Sequence, residues 1–167
     1  ASLGANTTAD NNTAVGYLAL TANTTGTSNA AVGAYALDAN TTGSSNTAVG
    51  KSSLGANTTG SDNTVLGFEA LLVATTATGN TAVGKNAGKA ITTGTANTFL
   101  GGGAGDSTDD GNYNTAIGSG ALSANCGNSN VAVGTSAATA CTGAGNTAIG
   151  TNAGYGLTSG GGNTLLG

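Results

Sequence analysis

The sequence predicts an all-β fold, a β-solenoid (β-roll) of about ten rungs in which residues 1–167 form a single repeat array. Three observations carry that expectation. The first is a period. The stretch NTAVG at Asn12 to Gly16 returns in role as NAAVG at Asn29, NTAVG at Asn46, NTVLG at Asn63, NTAVG at Asn80, NTFLG at Asn97, NTAIG at Asn114, NVAVG at Asn130, NTAIG at Asn146 and NTLLG at Asn163. Successive copies lie 17 residues apart, with two steps of 16 after Asn114. A repeat this short and regular belongs to a solenoid. The second is composition: 4% aromatic, 6% charged, 31 Gly, and no Pro, Met, Trp or His. Side chains so small bury little apolar area, so stability has to come from backbone hydrogen bonds repeated from rung to rung. The third is the aliphatic periodicity, which a disordered chain of similar Gly, Thr and Asn content lacks.

Aligned on that period, each position of the unit becomes a column along the axis. Column one is Asn in every copy: Asn12, Asn29, Asn46, Asn63, Asn80, Asn97, Asn114, Asn130, Asn146 and Asn163. Stacked amides can bond to the copies above and below, so this column is expected to form a structural ladder. Column two is mostly Thr and column three is small and apolar, from Ala14 to Leu165. Column four is always branched aliphatic, from Val15 to Leu166. In a strand, columns two and four share one face and column three takes the other. Column four is expected to form the inner core, and column three to meet a second chain, because a strand apolar on both faces is covered on both. Column five is always Gly, which suits a corner with positive φ or a close backbone approach. A second strand is expected where small residues such as Ala19 and Ala36 precede Leu20, Leu37, Leu54, Leu71 and Leu122, or Gly88, Gly105 and Gly154. The remainder, such as TANTTGTS, is turn chemistry.

Units such as NTAVGYLALTANTTGTS and NTFLGGGAG resemble the repeats of phage and phage-like tail-fibre proteins and of related cell-surface fibres. The VG corners and small-residue stretch that follows are also similar to the head domains of trimeric autotransporter adhesins. That second resemblance implies a left-handed β-roll in which three parallel chains associate. Both imply a non-enzymatic structural protein: the shaft or adhesin stalk of an extracellular filament, cell-surface fibre or viral tail fibre.

Charge narrows the partners. Lys51, Lys85 and Lys89 stand against seven acids with no Arg, a net charge of −4, which leaves no basic footprint for a nucleic acid. No apolar run approaches the roughly 20 residues of a spanning helix, so membrane insertion is not expected. The absence of Met predicts a chain that is processed or is a segment of something longer. Joining Gly167 of one copy to Ala1 of the next would separate Asn163 from the following Asn12 by 16 residues, a spacing already present. The expected partners are therefore copies of itself, laterally as a trimer or stacked head to tail into a filament, with a host-surface glycan as a second class.

Few residues invite chemistry, and no cofactor is expected. Asp106, Asp109 and Asp110 in GDSTDDGN are weak candidates for a metal such as calcium, since hard cations favour clustered carboxylates. Cys126 and Cys141 fall at nearly equivalent turn positions of successive units and are a disulfide candidate. Sequons at Asn6, Asn11, Asn23, Asn40 and Asn57 are glycosylation candidates on turns expected to be exposed. Tyr17, Phe68 and Tyr155 are candidates for outward stacking surfaces. GGGAG at Gly101 to Gly105 lacks the Lys of a phosphate loop. Glycoside cleavage needs an acid and base paired in a cleft, and no such pairing recurs. The alternative to a fibre is an ice-binding β-solenoid using its Thr column; against it stands the expectation that column two turns inward with column four.

Overall fold

The computed structural model describes residues 1–167 as a β-solenoid. Ten strands of three residues form one parallel sheet in chain order: β1 (Thr13–Val15), β2 (Ala30–Val32), β3 (Thr47–Val49), β4 (Thr64–Leu66), β5 (Thr81–Val83), β6 (Thr98–Leu100), β7 (Thr115–Ile117), β8 (Val131–Val133), β9 (Thr147–Ile149) and β10 (Thr164–Leu166). Like columns pair throughout: Thr47 lies beside Thr64, Ala48 beside Val65 and Val49 beside Leu66. The register survives the 16-residue steps, where Thr115 still pairs with Val131 and Val131 with Thr147. Each short rung therefore loses its residue from a turn.

The strands stop after three residues for a local reason. Gly16, Gly33 and Gly50 hold φ near +135°, and a Cβ on Gly16 would lie 2.6 Å from the carbonyl oxygen of Gly33. Any side chain at this corner would meet the backbone of the next rung. At the other end, the backbone N–H of Asn46 donates to Oδ1 of Asn29 at 2.9 Å, and its Nδ2 donates to the carbonyl of Gly60 at 2.9 Å. The side chain thus links one rung to the next and ties its own rung closed. The backbone-to-amide link is unbroken from Asn12 to Asn163. Buried amides so satisfied add stability, and unmade they would cost it.

The structure reverses the expected inside and outside of the sheet. Column three is the interior: Ala31, Ala48, Val65, Ala82, Phe99, Ala116, Ala132 and Ala148 are fully buried. Column four faces outward, with Val15 at 58% and Leu66 at 49% exposure. Alternation along a strand separates the two faces but does not say which is inside. The cross-section decides it, because the buried Leu20, Leu37, Leu54, Leu71 and Leu122 already fill the interior from the opposite wall. Ala opposite Leu fits that width, and a second branched row would not.

That opposite wall is also not a strand, contrary to expectation. Leu18, Leu20, Tyr35 and Leu37 hold φ between 50° and 59°, the left-handed region. Such a residue costs about 1 kcal/mol, yet the wall is laddered: Leu20 N–H donates to Ala36 O at 2.9 Å and Tyr35 N–H to Tyr17 O at 2.9 Å. Of 100 backbone hydrogen bonds only 18 lie within the strand ladder, so the turns carry most of the rung-to-rung bonding. The left-handed kinks aim the Leu side chains into the roll, and bonding to the next rung offsets their cost.

Candidate functional site

The principal candidate is the outer face of the sheet. Column four places Val15, Val32, Val49, Leu66, Val83, Leu100, Ile117, Val133, Ile149 and Leu166 in one row, none of them fully buried. Beside it runs column two, where Thr13, Thr47, Thr64, Thr81 and Thr98 are exposed. Neighbouring strands lie about 4.8 Å apart, so hydroxyls and branched methyls repeat along the axis at that interval. The inward Thr expected from the sequence is therefore corrected, and the objection it raised to ice binding goes with it.

One edge of this face, just past the Gly corner, carries the exposed Tyr17, Tyr35 and Phe68 and two of the three lysines, whereas the exposed Tyr113 precedes the Asn ladder on the other edge. Tyr17 and Tyr35 meet edge to face with ring centroids 5.4 Å apart. Lys51 Nζ sits 5.8 Å from the centroid of the exposed Phe68 ring, and Lys85 follows one rung beyond Phe68. Tyr155 is exposed on the later rungs. The single ion pair of the chain joins Lys89 Nζ to Glu69 Oε2 at 2.7 Å, leaving Lys51 and Lys85 without an acidic partner.

A second candidate is an open groove of about 530 Å³ on another side of the roll, bordered by Lys89, Thr92, Asp106, Ser107, Asp109 and Asn125. It lies where the rung from Asn114 to Ser129 is one residue short. Asp106 and Asp109 border it and Asp110 does not. One oxygen of Asp109 accepts from Thr92 Oγ1 at 2.6 Å, and its backbone N–H donates to Asn125 Oδ1 at 3.0 Å. Asp106 is the less comfortable carboxylate: burial raises its pKa, opposed by its own backbone N–H, by Ser107 and by Lys89, and its Oδ1 has no partner. No three acids, cysteines or histidines converge anywhere, so Asp106, Asp109 and Asp110 do not assemble the ligand set expected of a metal site.

The cysteines are free, not bridged. Cys126 and Cys141 are buried in the core. The Cys126 thiol meets the carbonyl of Ala124 at 3.2 Å, and the Asn146 amide reaches Cys141 Sγ at 3.4 Å. Burial first, and then the neighbouring Cys141, push the Cys126 thiol up to about 12, against a small lowering from Thr108. It is a packed thiol rather than a nucleophile.

Three of the five sequons are likewise corrected. Asn23, Asn40 and Asn57 are fully buried, because they and Asn6 form a second ladder inside the roll. Nδ2 of Asn40 donates to Oδ1 of Asn23 at 2.9 Å and Nδ2 of Asn57 to Oδ1 of Asn40 at 2.7 Å. The folded roll encloses these three amides. Asn11 is exposed and Asn6 half-buried. The second ladder ends at Asn57, whose Oδ1 has no partner because Ala74 and then Ile91 continue the column. The first ladder is imperfect at one place. Asn114 Nδ2 has no partner, since its rung is short and the Gly127 carbonyl is taken by Asn130 Nδ2 at 3.1 Å.

The outward row was discoverable from sequence through its size pattern. Column four exchanges Val, Leu and Ile without response elsewhere, as an open surface allows. Column three responds at its bulkiest residue: Phe99 coincides with Gly88 and Gly105 on the facing wall, where most rungs have Leu. Sizes that compensate mark the interior.

No helix of the chain is long and apolar enough to cross a membrane. In comparisons with protein families, with curated proteins and with solved structures, nothing matches the chain.

Proposed function

We propose that the chain is a non-enzymatic structural fibre segment, the shaft or stalk of an extracellular, cell-surface or virion filament, which associates with copies of itself through the outer face of its sheet. One observation carries this reading: the continuous row of branched aliphatics from Val15 to Leu166, exposed or half-exposed over the length of the sheet. Monomeric soluble proteins rarely leave so extended an apolar surface uncovered. A straight stack of ten strands presents it as a ridge about 45 Å long. A second roll with the same repeat can follow that ridge rung for rung, each methyl row meeting another of identical spacing. The mechanical logic is additive, because each rung contributes its own ladder bonds and its own patch of interface. Sedimentation equilibrium tests it: a defined oligomer that dissociates on dilution is expected, with rods by electron microscopy. A strictly monomeric chain at high concentration would overturn lateral assembly.

A second reading is favoured by one observation, the outward Thr column beside the aliphatic row. A flat, regular array of hydroxyl and methyl groups suits an ordered water lattice, which is the requirement for ice binding. A thermal-hysteresis measurement separates the two. Freezing-point depression by a monomer, abolished by Thr81→Tyr, would favour ice binding over assembly.

A further inference from the structure

The charges at the two edges of the outer face say how copies would be arranged, given the lateral assembly proposed above. On the corner edge stand Lys51 and Lys85, both exposed and free of any acid, flanking the exposed Phe68. They are two rungs apart, about 10 Å. The nearest acid on that edge, Glu69, is held by Lys89. On the opposite edge, immediately before the Asn ladder, stands the exposed Asp62, with no salt-bridge partner in its own chain. The corresponding positions of the neighbouring rungs are Ser45, Gly79 and Ala96, so Asp62 is the single charge of its edge at this level. It sits between the rung of Lys51 and that of Phe68, within about two rungs of both lysines along the axis.

We infer that Asp62 of one copy pairs with Lys51 and Lys85 of the next, fixing neighbouring rolls parallel and in register. When two identical faces meet with their axes parallel, a rotation about that axis brings the corner edge of one against the ladder edge of the other at the same height. Asp62 then faces the gap between Lys51 and Lys85. When the axes are antiparallel, like edges meet, and pairing centred on the rung of Phe68 sets Lys51 against Lys85. The first arrangement pairs opposite charges and the second opposes like ones. The aliphatic row cannot make this choice, because its spacing is the same in either direction and at every shift by one rung. Charges at an interface set orientation and register where uniform apolar contact does not.

The test is charge reversal read by sedimentation equilibrium, with circular dichroism to verify the fold, since all three side chains are exposed. Asp62→Lys alone and Lys51→Glu with Lys85→Glu are each expected to weaken association at least about tenfold, as like charges then oppose across the contact. The triple variant Asp62→Lys, Lys51→Glu, Lys85→Glu is expected to recover it, and the wild-type constant to weaken with added salt. If the wild type associates and neither reversal matters, or the triple variant fails to recover, the pairing is wrong while lateral assembly stands. If the wild type never associates, assembly itself falls and the pairing with it.

Discussion

The ring of Phe99 occupies the space that a side chain on Gly105 would need: a Cβ there would lie 2.3 Å from the ring, and one on Gly88 would lie 2.7 Å from it. In several other rungs the same two positions read Ala opposite Leu, as in Ala31 with Leu37 and Ala116 with Leu122. The interior is narrow here, and the bulk of Phe99 is matched by the loss of the side chain at Gly88 and Gly105. Phe99→Ala should cost about 3–5 kcal/mol for the cavity it leaves, and Gly105→Leu should be damaging through overlap with the ring. Together they rebuild the common pairing, on a backbone whose left-handed φ of +63° is one that Leu20 and Leu37 already tolerate. The double variant is therefore expected to be more stable than either single one, with a coupling of about 2 kcal/mol or more in a denaturation cycle.

The Asn ladder should be least tolerant in its middle. Asn80 Oδ1 accepts from both the backbone N–H and Nδ2 of Asn97, at 2.9 and 3.0 Å. Its Nδ2 reaches Asn63 Oδ1 at 3.2 Å and the carbonyl of Gly94 at 2.9 Å. Asn80→Ala orphans several buried groups at about 1–3 kcal/mol each, so a loss of about 4 kcal/mol is expected in urea denaturation. Asn163 is only half-buried, and its backbone N–H and Nδ2 both donate to Asn146 Oδ1, at 3.0 and 2.9 Å. Its replacement by Ala should cost about half as much.

Much of this was legible in the sequence, and the missing part has one physical origin. The repeat, the parallel register, the Asn ladder and the Gly corner each follow from invariant columns, because an invariant residue states a backbone requirement directly. The sidedness of the sheet did not follow, since Ala48 and Val49 are both apolar and alternation alone does not rank them. The deciding partner, Leu54, lies on a wall whose left-handed residues obey no strand pattern. The sequons at Asn23, Asn40 and Asn57 misled for a related reason: NTT is turn chemistry, but at this turn the Asn amide points inward to bond its neighbours.

The buried thiol predicts a pH dependence on the alkaline side. In the unfolded chain Cys126 ionises near 9.0, whereas burial and Cys141 hold it up to about 12 in the fold. The folded state thus keeps its proton where the unfolded state releases it. Stability from this group is complete below the unfolded value and is lost as pH rises from about 9 toward 12. Between pH 8 and 10.5 the loss is about 2 kcal/mol by the linkage of 1.36 kcal/mol per unit. Cys126→Ala should remove this part of the alkaline slope. Thiol-alkylating reagents should leave the native chain unmodified at neutral pH and label it on unfolding.

Val65 and Leu66 are adjacent and equally apolar, yet the first is fully buried and the second 49% exposed, so the pair separates folding from assembly. Val65→Asp places a carboxylate in a dry interior with no partner and should cost about 4 kcal/mol or more, unfolding the roll locally or wholly. Leu66→Asp leaves the interior untouched and should change the stability of an isolated roll by less than about 1 kcal/mol. Its effect belongs on the outer row, where a charge must be desolvated for a second roll to approach. The expected signature is a folded chain by circular dichroism whose melting temperature no longer rises with concentration, because mass action stabilises only a chain that associates. Equal destabilisation by both substitutions would mean that Leu66 packs within its own chain, and the outer row would lose its standing as an interface.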